Sequence, residues 1–293
     1  MKKFFTIIGT VLVGCSVGTP SSNASSAKTE KTIADPDSVV FSKLVETRRM
    51  ENWDTGHIDS LTIKVATCFL GVPYVPHTLE ADGPERLVVN LREMDCTTLV
   101  ENVLAISWCL SRQQTGYADF KRALTRLRYR HGVVDQYPSR LHYFTDWLMD
   151  NRQKGLVELV SQQFATEPFT PHVGFMSAHP DKYRALATHP EFVEPIRQQE
   201  AIINKYALKF IPKADVPKFE DRIRNGDIIA IATDINGLDV AHVGFALHHQ
   251  GRLHMLHASL TEKKVMLTPM PLADYLMGIK KHSGILVARP LAK

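Results

Sequence analysis

Four cysteines are all that this chain of 293 residues contains, and neither CxxC nor HExxH occurs in it. That argues against a zinc site. The stretch HHQGRLHMLH (248–257) is rich in histidine, but strand alternation would put His254 and His257 on opposite faces. We therefore expect neither a metal nor a cofactor. The sequence also lacks a dense Lys/Arg stripe, and its formal charge is only +4, which argues against a nucleic-acid partner. It has no internal repeat. The apolar run FFTIIGTVLV near the N-terminus is too short to cross a bilayer as a helix. What remains is a chain 44% hydrophobic and 23% charged, enough for one or two globular domains with a sizeable core.

The N-terminal segment reads as an address. Lys2 and Lys3 precede the short apolar run, which ends in Leu12-Val13-Gly14-Cys15. This tetrapeptide resembles a bacterial lipobox. The resemblance implies cleavage after residue 14 and a diacylated Cys15 at the mature N-terminus. A signal peptide cut later, near Ala24 or Ala27, is the alternative. Loss of Lys2 and Lys3 with no acid would lower the net charge from +4 to +2. Residues 15–37 are Ser/Thr-rich and read as a flexible tether. By resemblance to other lipoproteins, Ser16 in place of aspartate favours the outer membrane. The lack of an acidic export cluster favours its periplasmic face.

The most informative stretch is DCTTLVENVLAI (95–106). Asp95 is a good helix N-cap, and Leu99, Val100, Val103 and Leu104 recur at helical spacing. Cys96 then sits in the first turn, where the helix dipole and unpaired N–H groups favour a thiolate. VAHVGFAL (240–247) alternates like a strand and carries His242, with Gly244 leaving room for close approach of another element. RLHMLHAS (252–259) is a second strand and carries His257. Cysteine on a helix start, then histidine on a strand, then a polar orienter on the next strand is the order of a papain-like thiol hydrolase. Cys68 and Cys109 lie in apolar helical patterns and read as buried structural thiols, with a Cys68–Cys109 disulfide left open.

Three pieces give the chain a resemblance to the NlpC-type cell-wall cysteine hydrolases: PYV (73–75), DCTT and HVGFA…HAS. A narrower resemblance, over roughly 46–291, is to the N-acetylmuramoyl-L-alanine amidase-like branch. FLGVPYV, DCTTLVENVLAI, SRLHYFTDW (139–147), GDIIAIATDINGLDVAHVGFA (226–246) and LHASL carry it. The resemblance implies Cys96 as nucleophile, His242 as general base, His257 as orienter of the His242 ring, and Tyr74 near the nucleophile. About 145 residues separate Cys96 from His242, so inserted structure should crowd the cleft. Thr98 stands where the broad superfamily has a small residue.

Helices first and strands from 226 onward argue an α+β fold with an antiparallel sheet. The resemblance refines this to a papain-like, NlpC-type domain with helical insertions, spanning 38–293. Residues 38–70 read as helical and LVVNL (87–91) as a strand. Helices are expected from Cys96 to about Arg112, over 117–130, at the end of 137–155 and over 180–206.

SRLHYF packs Ser139, Arg140, His142 and Tyr143 into five positions. Arginine suits bidentate recognition of a carboxylate, so these residues are candidates for contacts to a stem peptide. Pairing of Arg140 with Asp146 as a loop brace is the bland alternative. Glu101 either braces the site or contacts substrate. What the resemblance implies is hydrolysis of the amide joining N-acetylmuramic acid to L-alanine, with anhydro-muramic fragments as substrates during wall turnover. The rivals are an endopeptidase cutting D-glutamyl–diaminopimelate, and an inactive muropeptide-binding lipoprotein.

Overall fold

The structure is a computed structural model that describes residues 35–81 and 83–292. Cys15, the signal segment and the tether up to residue 34 lie outside the described residues. Residues from Asp35 onward form one compact unit. No described helix is long and apolar enough to cross a membrane.

Five helices come first: α1 (Pro36–Met50), α2 (Ile58–Thr67), α3 (Cys96–Ser111), α4 (Tyr117–Arg128) and α5 (Phe144–Gln153). Then come β1 (Val157–Glu158), β2 (Glu167–Phe169), several short helical turns, α6 (Val193–Ile203) and β3 (Leu208–Pro212). The C-terminal part holds β4 (Ile228–Thr233), β5 (Val240–His249), β6 (Arg252–Ser259), β7 (Lys264–Leu267), α7 (Leu272–Met277) and β8 (His282–Pro290). The strands join in one sheet in the order β2-β3-β8-β4-β5-β6-β7, with β1 on β8. Every ladder is antiparallel, so the fold is α+β.

The sheet is covered on both faces, which explains the unbroken apolar run IIAIAT in β4. Ile228, Ala230 and Ala232 belong to the main core, which continues through Leu99, Val103 and Ile106 of α3. Ile229 and Ile231 face the opposite way and pack with Leu272 and Leu276 of α7. A third cluster gathers Tyr137, Tyr143, Met176, Leu186 and Ile196 within the long segment between α4 and β3. One buried ion pair crosses the helical layer. Arg128 Nε donates to Glu101 Oε2 at 2.6 Å, both side chains are 2% exposed, and Trp147 Nε1 donates to Glu101 Oε1.

Three expected segments differ in the structure. Residues 38–70 are two helices, because the chain turns back after Met50 through Asn52 at φ 49° to bury Trp53. Residues 87–91 form no strand. Side chains satisfy that backbone instead: Arg128 Nη1 donates to the Val88 carbonyl, Asn102 Nδ2 donates to the Asn90 carbonyl, and Leu91 N–H donates to Asp37 Oδ1. Residues 180–206 are short turns at Pro180 and Pro190 followed by α6, because proline interrupts helix propagation.

Cys68, expected to be buried, is exposed at the end of α2, while Cys109 is fully buried; both are free thiols.

Candidate active site

Cys96 occupies the first position of α3. The Asp95 carboxylate accepts from the Thr98 N–H at 2.8 Å, and the Thr98 hydroxyl oxygen accepts from the Asp95 N–H at 2.9 Å. This capping box fixes where the helix starts. It gives Thr98 a structural role at this position. The Cys96 and Thr97 N–H groups lie in the first turn, where a helix offers them no acceptor. The Val243 backbone of β5 favours the Cys96 thiolate. Burial, aided by the Asp95 charge, nonetheless pushes the thiol up to about 12, against the pull of Val243 and Thr97. Desolvation outweighs the helix terminus here.

His242 and His257 stand side by side on β5 and β6. His242 Nε2 and His257 Nδ1 are 2.6 Å apart, with the rings nearly perpendicular. A β-bulge beside Ile231 and Ala232 sets the register at His242. A Cβ on Gly244 would lie 2.9 Å from the His257 Cβ and 2.6 Å from the Leu256 carbonyl oxygen, so only glycine lets β6 approach this closely. Burial brings His242 down to about 3, helped by His257 and His282, and brings His257 down to about 4. Both imidazoles are neutral across the ordinary pH range. His254 is turned away, with its Nδ1 2.9 Å from the Thr268 carbonyl oxygen.

Tyr74 is held by backbone bridges to Met94 and Lys263. Burial, with the Cys96 and Asp95 charges, pushes its phenol up to about 12, so the hydroxyl stays protonated. Sequence reasoning missed Tyr275 and His282. The Tyr275 ring meets the His257 ring edge-on at 5.7 Å, and its phenol is raised by burial and by Cys96. His282 lies 6.0 Å from that ring, ring centre to ring centre, with a buried, unpartnered Nδ1. Neither residue sits in a local pattern that marks it.

The inserted segment closes the other side. A cavity of about 180 Å³ has Cys96, His242, His142, Tyr143, Met176 and Tyr183 among its lining residues. Asp239, buried at the entry to β5, accepts from the Thr145 N–H at 2.7 Å and from the Thr145 hydroxyl. Gly237, at φ 80°, accepts from the Gly174 and Phe175 N–H groups. The aspartate-bearing loop before His242 therefore fastens the insertion beside Cys96. His142 Nε2 lies 3.0 Å from the Tyr137 carbonyl oxygen, to which it donates, and burial brings the ring down to about 3. The Tyr143 hydroxyl donates to Glu200 and accepts from the Met176 N–H.

Other candidates lie elsewhere. Glu101 faces the core, in the pair with Arg128. The Ser139 hydroxyl oxygen accepts from the Asp135 N–H in a surface turn. Arg140 is 6% exposed and pairs with Glu80 and Glu85, each at 3.2 Å, while Asp146 pairs with Arg130. The brace on Arg140 is thus built from acids of a distant loop. Among the described residues no group of three or more His, Cys, Asp or Glu could hold a metal ion.

A family model described as AmiA-like, N-acetylmuramoyl-L-alanine amidase-like, matches residues 64–285. A solved N-acetylmuramoyl-L-alanine amidase from Bacteroides uniformis is 40% identical, with a TM-score of 0.77, covering 80% of this chain and 99% of its own. A Bacteroides fragilis structure carrying the provisional name xylanase is 39% identical, with a TM-score of 0.74, covering 77% of this chain and 99% of its own. A Legionella pneumophila protein shares the fold at 20% identity, with a TM-score of 0.64, covering 87% of this chain and 94% of its own. No curated protein matches. Since the family model spans well over half its length, the chain belongs to the AmiA-like, N-acetylmuramoyl-L-alanine amidase-like family.

Proposed function

We propose that the protein is a papain-like, NlpC-type cysteine amidase. It hydrolyses the amide between the lactyl carbonyl of N-acetylmuramic acid, in its anhydro form, and L-alanine in peptidoglycan fragments, during wall turnover. The observation that carries this reading is the His242–His257 contact of 2.6 Å, with His242 lining the same cavity as Cys96.

The chemistry starts from a neutral pair, thiol and imidazole. For His242 to take the thiol proton at Nδ1, its Nε2 must carry hydrogen and donate to His257 Nδ1. His257 is thereby fixed with its own hydrogen on Nε2. The Cys96 sulfur attacks the lactyl carbonyl as its proton passes to His242. The resulting oxyanion is met by the Cys96 N–H and the Tyr74 hydroxyl, both protonated donors. Collapse breaks the C–N bond, and His242 returns its proton to the leaving L-alanine amine. Water, deprotonated by His242, then cleaves the thioester and frees the sugar. His142 and Tyr143 shape the wall that the substrate meets.

A glycosidase needs two carboxyl groups across the scissile bond. Among the described residues Asp239 is the one carboxylate lining this cavity, and it is occupied by Thr145. Digestion of defined muropeptides distinguishes the remaining readings by product mass. The amidase releases a free sugar and an intact peptide, an endopeptidase cuts within the peptide, and a binding protein releases nothing. We further propose that Cys15 is diacylated and anchors the domain to the periplasmic face of the outer membrane. Two chains anchor stably where one does not. Cys15→Ser should release the protein from membranes washed in high salt, and a variant that still pellets would refute the anchor.

A further inference from the structure

Helix α4 supplies no residue to the proposed mechanism, yet it presents a basic face. Lys121, Arg122, Thr125 and Arg126, with His131 and Gly132 of the turn that follows, line an open depression of about 620 Å³. Among the described residues no carboxylate lines it. Val133, next in the chain after the turn at His131 (φ 54°) and Gly132 (φ 76°), is 60% exposed.

The three cations are exposed, and their charge is largely uncancelled. Lys121 Nζ stands 5.2 Å from the Tyr117 ring centre, a contact that leaves its charge whole. Arg126 Nη2 donates to the Lys154 carbonyl at 3.2 Å, a neutral acceptor. Arg122 does meet an acid, Asp119, one turn away on the same helix. Such exposed pairs hold weakly. Asp150, beside His131, is claimed by Lys154. A surplus of positive charge with an apolar side chain at its edge suits a layer of anionic headgroups.

The point where the chain enters the domain selects the occupant. Asp35 caps α1, and the Phe41 ring of α1 lies 5.3 Å from the Phe120 ring and 6.0 Å from the Tyr117 ring, at the start of α4. Burial, then the Asp35 charge, raises the Tyr117 phenol. The same Tyr117 ring carries the Lys121 ammonium, so the chain entry and the basic face adjoin. Arg128 at the end of α4 pairs with Glu101 near the start of α3, so the two helices run antiparallel. The entry is therefore at the end of α3 remote from Cys96, about 24 Å along an axis of sixteen residues. We infer that this face of α4 docks on a bilayer, where Lys121, Arg122 and Arg126 meet the phosphates of anionic phospholipids. The choice of a bilayer rests on the proposed lipid at Cys15, whose segment joins the domain at Asp35. No residue lines both this face and the catalytic cavity, so the docked domain still admits substrate.

The test sediments the full-length Cys15→Ser protein, which lacks the lipid, with vesicles of phosphatidylcholine alone or with about 30% phosphatidylglycerol. One basic residue near such a surface strengthens binding about fivefold. Lys121→Gln, Arg122→Gln and Arg126→Gln introduced together should therefore weaken binding to the anionic vesicles at least about tenfold. Binding to the neutral vesicles should not change. The N-terminal apolar run is common to both proteins and cancels in the comparison. Salt at about 1 M, where the Debye length falls to about 3 Å, should erase the difference between them. Lys205→Gln with Lys209→Gln, exposed lysines outside this face, should bind as the parent does. Melting curves and muropeptide turnover of the triple variant should match the parent, which guards against a fold effect. Equal binding of parent and triple variant to anionic vesicles would overturn the surface. Binding to purified wall sacculi that the triple variant loses, with none to anionic vesicles, would give the face to the wall and overturn the bilayer. Release of Cys15→Ser from washed membranes reads the anchor alone, and the vesicle comparison reads α4 alone, so either can fail while the other stands.

Discussion

Gly244 and His257 lie against each other on neighbouring strands, so closely that a Cβ at position 244 would come within 2.9 Å of the histidine's own. His242, two residues before Gly244, bonds that histidine at 2.6 Å. The pair therefore depends on a missing side chain.

Gly244→Ala should push β6 away from β5 and lengthen the His242–His257 contact. Crowding a packed site of this kind costs about 1–3 kcal/mol, so the protein should melt earlier yet still fold. The rate constant should fall further than the folded fraction does. A variant with normal kcat would remove the contact from the mechanism.

The pH dependence follows from burial. Free histidine titrates near 6.5, whereas His242 is lowered to about 3 and His257 to about 4. The unfolded chain therefore binds protons that the folded one refuses. This contribution to stability is complete above pH 6.5 and is lost as the pH falls toward 4 and then 3. The melting temperature should drop through that window. The acid limb of kcat/KM for the free enzyme should lie below pH 5. An acid limb near 6.5 would contradict the buried neutral pair.

Cys96 is held as a thiol by burial, so its sulfur becomes nucleophilic only as His242 takes the proton. Alkylation by iodoacetamide should slow at Cys96 in His242→Ala, while the exposed Cys68 reacts as before and serves as the internal reference. Unchanged labelling of Cys96 would detach His242 from the thiol.

Glu101→Ala leaves Arg128 charged, buried and unpaired. Breaking such a pair costs about 3–5 kcal/mol. The effect should show in denaturant midpoints, with KM unchanged for the fraction that remains folded. A large rise in KM with normal stability would return Glu101 to the substrate.

The sequence disclosed those features that depend on near neighbours. Asp95, followed by Leu99, Val100, Val103 and Leu104 at helical spacing, announces a helix start, and α3 begins at Cys96. The alternation around His242 and His257 likewise sets two strands and the faces they present. What stayed hidden depends on groups far apart in the chain. Residues 87–91 carry strand-forming side chains, yet Asp37, Asn102 and Arg128 claim their backbone. Arg140 invited pairing with the nearby Asp146, but Glu80 and Glu85, more than fifty residues upstream, hold it. Tyr275 and His282 reach the histidine pair only because α7 and β8 fold back over β6 and β4. The length of the insertion predicted a crowded cleft, and the cavity of about 180 Å³ beside Cys96 is its result.

The central claim is that Cys96 carries the muramoyl group as a thioester. Acid quenching during turnover of a muramoyl tripeptide, followed by intact-protein mass spectrometry and peptide mapping, tests it directly. The account predicts an adduct on Cys96 with the mass of the muramoyl group alone. An adduct heavier by alanyl-glutamate would identify an endopeptidase. Turnover that continues in Cys96→Ala, with no adduct in wild type, would contradict the thiol mechanism.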